Sequence, residues 1–203
     1  MTAALPAMRV RVWTRPVRIA HWSIAAIVIF NLFEGSGDDL HRWAGYAATT
    51  AVALRLFYGL IYRSGAARLS WPSLHGILLH WREMRTGRVT RTAGHNPLGT
   101  AMALVLWSLV LLLALSGWIS QTDRFWGEDW PLDLHAWLAD ALLVCVIVHL
   151  TGGILASILE RQNLIFSMIT GSKYIDASRN PHASEPKFET HSERGSALSR
   201  KIE

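Results

Sequence analysis

The chain has 203 residues, of which 51% are apolar and only 17% charged, against about a quarter charged in a soluble domain; this excludes an ordinary soluble protein. One cysteine, Cys145, excludes an intrachain disulfide framework. The net charge of +5 would suit a nucleic-acid binder only if its cations formed one patch, and their spread along the chain argues for a lipid surface instead.

Residues 1–16 form a short N-terminal segment with Arg9, Arg11 and Arg15 and no small-residue cleavage site after the apolar stretch that follows. The first apolar segment is therefore expected to stay as its own insertion signal. Four segments have close to the ~20 apolar residues that cross a hydrocarbon core: Val17 to Phe33, Trp43 to Tyr62, Leu98 to Ile119 and Leu134 to Leu159. Between the second and third, Leu74, Ile77, Leu78, Trp81 and Met84 recur at helical spacing beside Arg82 and Arg85. That pattern suits an amphipathic helix on the cytoplasmic leaflet; a plain loop is the other reading. Residues 172–203 are polar and charged, and a disordered cytoplasmic tail is expected there. The expected fold is all-α, an integral membrane four-helix bundle running up-down-up-down over 17–171.

Charge placement orients it. Seventeen of the 20 Lys and Arg lie in residues 1–20, in the 63–97 connection or after Leu159, whereas the two loops on the opposite side hold only Arg42 and Arg124. The positive-inside rule then puts both termini and the 63–97 connection in the cytoplasm. The outer loops are acidic, with Glu34, Asp38, Asp39, Asp123, Glu128, Asp129 and Asp133. Tryptophans near the helix ends, among them Trp22, Trp43, Trp118 and Trp137, suit headgroup depth.

Ionisable residues at membrane depth are costly and point to function. His135 and His149 share the fourth segment; fourteen residues rise about 21 Å and fall about 40° short of four turns, so both leave one helix face at two depths. The first segment runs inward to outward, so His21 lies at the inner level with His149, and His41 lies at the outer level with His135. Two histidines per level, drawn from different helices, suit the axial ligation of haem iron by neutral imidazole. Two stacked haems are expected, held without covalent attachment because no Cys-x-x-Cys-His occurs. Any single histidine here also suits a structural hydrogen bond. Zinc fits less well, since it needs further ligands close by. Arg55 lies fourteen residues after His41 and falls at the inner level, placed for a haem propionate or for snorkelling to headgroups; Arg18, one turn before His21, is a second propionate candidate. Asp140 has no evident partner.

The segments Pro16-Val17-Arg18-Ile19-Ala20-His21-Trp22, Leu40-His41-Arg42-Trp43-Ala44-Gly45, Gly94-His95-Asn96-Pro97-Leu98-Gly99 and Gln162 to Gly171, together with His135 and His149, resemble the bacterial cytochrome b561 and nickel-iron-hydrogenase b-type cytochrome family. The resemblance runs from about Trp13 to Lys173. It implies a di-haem cytochrome b exchanging electrons between quinone, ubiquinone or menaquinone, and a periplasmic redox protein such as a cytochrome c or a hydrogenase. A superoxide oxidase that reduces quinone is a second possibility it leaves open, disfavoured by the acidic outer loops because superoxide is an anion. A membrane anchor or transport module without redox work is the reading from another class. On the inner side, His95 and Arg18 beside the 72–86 segment are the candidates for handling quinone and its protons, with a backbone hydrogen bond at the start of the helix as the other role for His95.

Overall fold

A computed structural model describes residues 8–62, 73–85, 97–159 and 162–175. Residues Val10–Lys173 make one compact unit. The elements in chain order are strand β1 (Met8–Arg11), α1 (Arg15–Phe33), α2 (Asp39–Ile61), α3 (Leu74–Arg85), α4 (Pro97–Ile119), a 3-10 turn (Asp123–Phe125), α5 (Trp130–Leu159), α6 (Leu164–Thr170) and strand β2 (Ser172–Ile175), which pairs with β1. Helices α1, α2, α4 and α5 are long and apolar enough to cross a membrane. At 1.5 Å per residue even the 19-residue α1 reaches about 28 Å, close to a hydrocarbon core about 30 Å thick. The fold is an all-α membrane bundle carrying one small strand pair that hydropathy did not announce.

The helices start earlier than hydropathy alone puts them. Asp38 caps α2, its Oδ1 accepting the backbone N–H of Leu40 at 3.0 Å and of His41 at 3.2 Å, so the helix opens at Asp39 rather than Trp43. α5 opens at Trp130 rather than Leu134, with Pro131 in its first turn, where a missing N–H costs nothing. The 63–97 connection holds a helix over Leu74–Arg85, on which Leu78 and Leu79 are exposed; residues 63–72 and 86–96 lie outside the described residues, as does the tail from 176.

α1 packs on α2, α2 on α4 and α4 on α5. Their buried centre is small: Val28, Ala48, Val52, Val110 and Leu142, surrounded by residues such as Ile24, Leu106, Trp107, Leu113 and Val146. Large apolar side chains instead point outward, with Trp43 71%, Leu54 63%, Trp137 78% and Ile158 66% exposed. In water that surface would drive aggregation; in lipid it meets its own kind.

Beyond α5 the chain turns back on itself. Asn163 caps α6 by accepting the Phe166 N–H at 2.8 Å, and Gly171 ends it in the left-handed conformation at φ 81°. The Gly171 carbonyl accepts the N–H groups of Val12 (2.9 Å) and Trp13 (3.1 Å), and Arg18 donates to the carbonyl of Ile169 in the last turn of α6. A cation at a helix C-terminus is favourable, so Arg18 ties α6 to the start of α1.

Candidate haem site

His41, third residue of α2, and His135, sixth residue of α5, face each other with ring centroids 6.0 Å apart. Each ring is fixed by a bond at Nδ1. His41 Nδ1–H donates to the Glu34 carbonyl at 2.8 Å, and the Glu34 carboxylate stands 3.8 Å from the same nitrogen. His135 Nδ1 lies 3.0 Å from Ser116 Oγ, whose own proton goes to the Leu113 carbonyl at 3.0 Å. When His135 carries its proton on Nδ1, that proton faces the serine oxygen and the Leu113 carbonyl, both of which can accept it. His41 thereby keeps Nε2 bare, and His135 does so in the same tautomer, the form in which imidazole binds a metal. Gly117 makes room for this: a Cβ there would stand 3.2 Å from His135 Cε1 and 3.4 Å from Nδ1.

His21 and His149 form the second level, with ring centroids 6.2 Å apart. Trp22 packs its ring edge-on to His21 at 5.3 Å. His21 Nδ1 is buried with no hydrogen-bond partner in the structure, and His149 is exposed. His21 lies near the start of α1 and His149 in the second half of α5, whereas His41 and His135 lie at the starts of α2 and α5.

With a metal–imidazole bond of about 2 Å, as at zinc, and about 1.1 Å from ring nitrogen to ring centre, two imidazoles sharing one metal stand roughly 6 Å apart. Both pairs match that spacing. Two histidines at each level and the absence, among the described residues, of any cluster of three or more metal-binding side chains fit residues that would hold haem iron better than a closed zinc site.

The remaining predicted residues divide. Arg55 is 6% exposed on α2, its guanidinium 5.5 Å from the Trp107 ring centre, so it points into the bundle and does not snorkel. Arg18 is engaged with Ile169, and its Nε is buried without a hydrogen-bond partner. Asp140 is exposed on the outward face of α5, away from both histidine levels. His95 lies outside the described residues. Ser116, Gly117 and the Glu34 main chain were not singled out from the sequence; a Ser-Gly step inside an unbroken apolar run was the one available signal for the first two. Outside the membrane-spanning part, Asp38 is held below the usual carboxylate range, first by the backbone N–H of His41.

Residues 12–171 match the model of the prokaryotic cytochrome b561 family. A probable Ni/Fe-hydrogenase B-type cytochrome subunit of Rhizobium leguminosarum bv. viciae is 24% identical over 217 residues, covering 84% of this chain and 91% of that one. Similar proteins of the same description occur in Cupriavidus necator, 25% identical over 79% of this chain and 85% of theirs, and in Bradyrhizobium diazoefficiens, 23% identical over 81% and 85%. The family match spans both histidine levels and all four long helices, and the chain is accordingly a member of the prokaryotic cytochrome b561 family, a multi-pass membrane protein that transfers electrons through b-type haem.

Proposed function

We propose that this chain carries electrons across a bacterial inner membrane through two b-type haems, between quinone on the cytoplasmic side and a redox protein in the periplasm. The observation that carries the reading is the spacing of the two ring pairs, 6.0 and 6.2 Å, at opposite ends of one bundle. His41 and His135 hold the outer haem and His21 and His149 the inner one. A bound haem supplies a reversible one-electron couple at its iron. The protein's part is to fix the imidazoles, exclude water with the layer around Val52 and Leu142, and neutralise propionate charge. Arg55, buried at the inner level, serves that last purpose, together with the unpartnered Nε of Arg18.

Both termini are cytoplasmic, and α3 lies along the inner leaflet. Arg18 and, from its sequence position alone, His95 are the residues assigned to the exchange of electrons and protons with quinone, ubiquinone or menaquinone. The acidic outer loops around Asp38-Asp39 and Asp123 to Asp133 receive a basic patch of the partner, since opposite potentials steer encounter. The names of the relatives favour a hydrogenase as that partner, with a cytochrome c the other candidate of the same chemistry.

The test is a haem count and a reduction experiment. A pyridine haemochrome assay should return two haems per chain. His135→Ala should lose one and still have the other reduced by quinol. If that haem stays oxidised while a variant lacking the inner ligands is reduced normally, quinone reacts on the outer side and the assignment is wrong.

A further inference from the structure

The two levels are built differently. At the outer level every Nδ1 has an acceptor: the Glu34 carbonyl for His41, and Ser116 Oγ with the Leu113 carbonyl beside it for His135. At the inner level His21 Nδ1 is buried and has none. Ser116 is itself 2% exposed, and its hydroxyl is committed through the Leu113 carbonyl. That bond fixes which way the oxygen lone pairs point. Gly117, the next residue, supplies the clearance that lets the His135 ring reach the hydroxyl. A serine oriented from below and a glycine beside it therefore act on one face of one imidazole.

We propose that Ser116 is a positioning residue for the outer haem: it holds His135 with Nε2 toward the iron and, by accepting the Nδ1 proton, makes this imidazole a stronger electron donor. The inference rests on His135 being an outer haem ligand, as argued above. A ligand whose far nitrogen is hydrogen-bonded is more basic, and more basic ligation favours the oxidised iron. Ser116 therefore lowers the reduction potential of the outer haem and leaves the inner one alone, because neither inner histidine shares the bond.

The test compares Ser116→Ala, Ser116→Thr and Gly117→Ala in the purified holoprotein by redox titration resolving the two haems, with low-temperature EPR of each ferric centre. Ser116→Ala should raise the outer potential, alter the EPR signal of that haem, and weaken its retention by about tenfold, with the inner haem unchanged as the internal check on folding. Threonine keeps the hydroxyl and should restore wild-type values. Gly117→Ala keeps the hydroxyl but displaces the ring, so it should move the outer haem in the same direction. Loss of the outer haem alone in Ser116→Ala, with threonine retaining it, also supports the proposal. Unchanged outer potential and EPR in both alanine variants, an equal shift of both haems, or threonine behaving like alanine overturns it. His135→Ala separates the two levels of inference. If that variant keeps two haems, the ligand assignment has failed; if it loses one while Ser116→Ala is silent, only the role of Ser116 has.

Discussion

Ala48 on α2 and Leu142 on α5 stand at the midpoints of two matching intervals, each seven residues beyond an outer-level histidine, and both are buried in the same cluster. Seven further residues bring α2 to Arg55 and α5 to His149. Seven residues is close to two helical turns, so on each helix these positions share one face, and the layer between the two levels is filled by the apolar residues Ala48 and Leu142. Leu142→Ala should open a void in that layer. Lipid is as apolar as the bundle interior, so the transfer contribution of a soluble core is missing and mainly the packing loss remains. The expected cost is about 1–2 kcal/mol, below the 2–5 typical of soluble cores, with haem still bound. Thermal loss of haem absorbance against the wild type measures it.

Gly171 is a position where a side chain has no room. Its φ of 81° is a conformation L-residues avoid, and a Cβ would stand 2.9 Å from the Trp13 carbonyl oxygen. Gly171→Ala should cost on the order of 1–3 kcal/mol and release α6 from the start of α1. Limited proteolysis in detergent should then cut near residue 171 faster than in the wild type. Arg18→Ala should act in the same direction through loss of the bond to Ile169.

The cap at Asp38 anchors the turn of helix that carries His41. Asp38→Ala should fray it and lower the temperature at which haem absorbance is lost, while Asp38→Asn, which can still accept from Leu40 and His41, should retain most of the wild-type behaviour. Heating curves followed by absorbance distinguish the two.

Topology is open to a direct check. Reporter fusions after residue 62 and after residue 175 should both read as cytoplasmic, and fusions in the 34–38 or 120–129 loops as periplasmic. The reverse pattern would mean that the charge asymmetry had been outweighed.

The four spans and the meeting of His41 with His135 and of His21 with His149 were legible because both follow from regular periods: the ~20-residue width of a bilayer and the 3.6-residue turn. What escaped the sequence depends on main-chain atoms or local geometry. The acceptor for His41 is a backbone carbonyl, which every residue has, and Ser116 was one serine among many in the chain. Helix starts were placed late because Asp38, Asp39 and Asp133 look like loop residues by hydropathy yet are favoured at and near helix N-termini. The β1–β2 pairing and the Arg18 bond join residues more than 150 positions apart, and no local pattern announces such a closure.

Because His135 and His149 stand on one unbroken helix, the gap between the two histidine levels is a property of a single hydrogen-bonded rod. Bilayers differ in thickness, and bundles answer by tilting. Tilt changes how deep each level sits but stretches nothing along α5 itself. The protein thus carries an internal length standard, and the separation of the two histidine levels along α5 stays constant from one membrane to another. A single residue inserted between positions 135 and 149 would lengthen the rod by only about 1.5 Å yet swing one ring by about 100°, so it is angular register, far more than distance, that this helix guards.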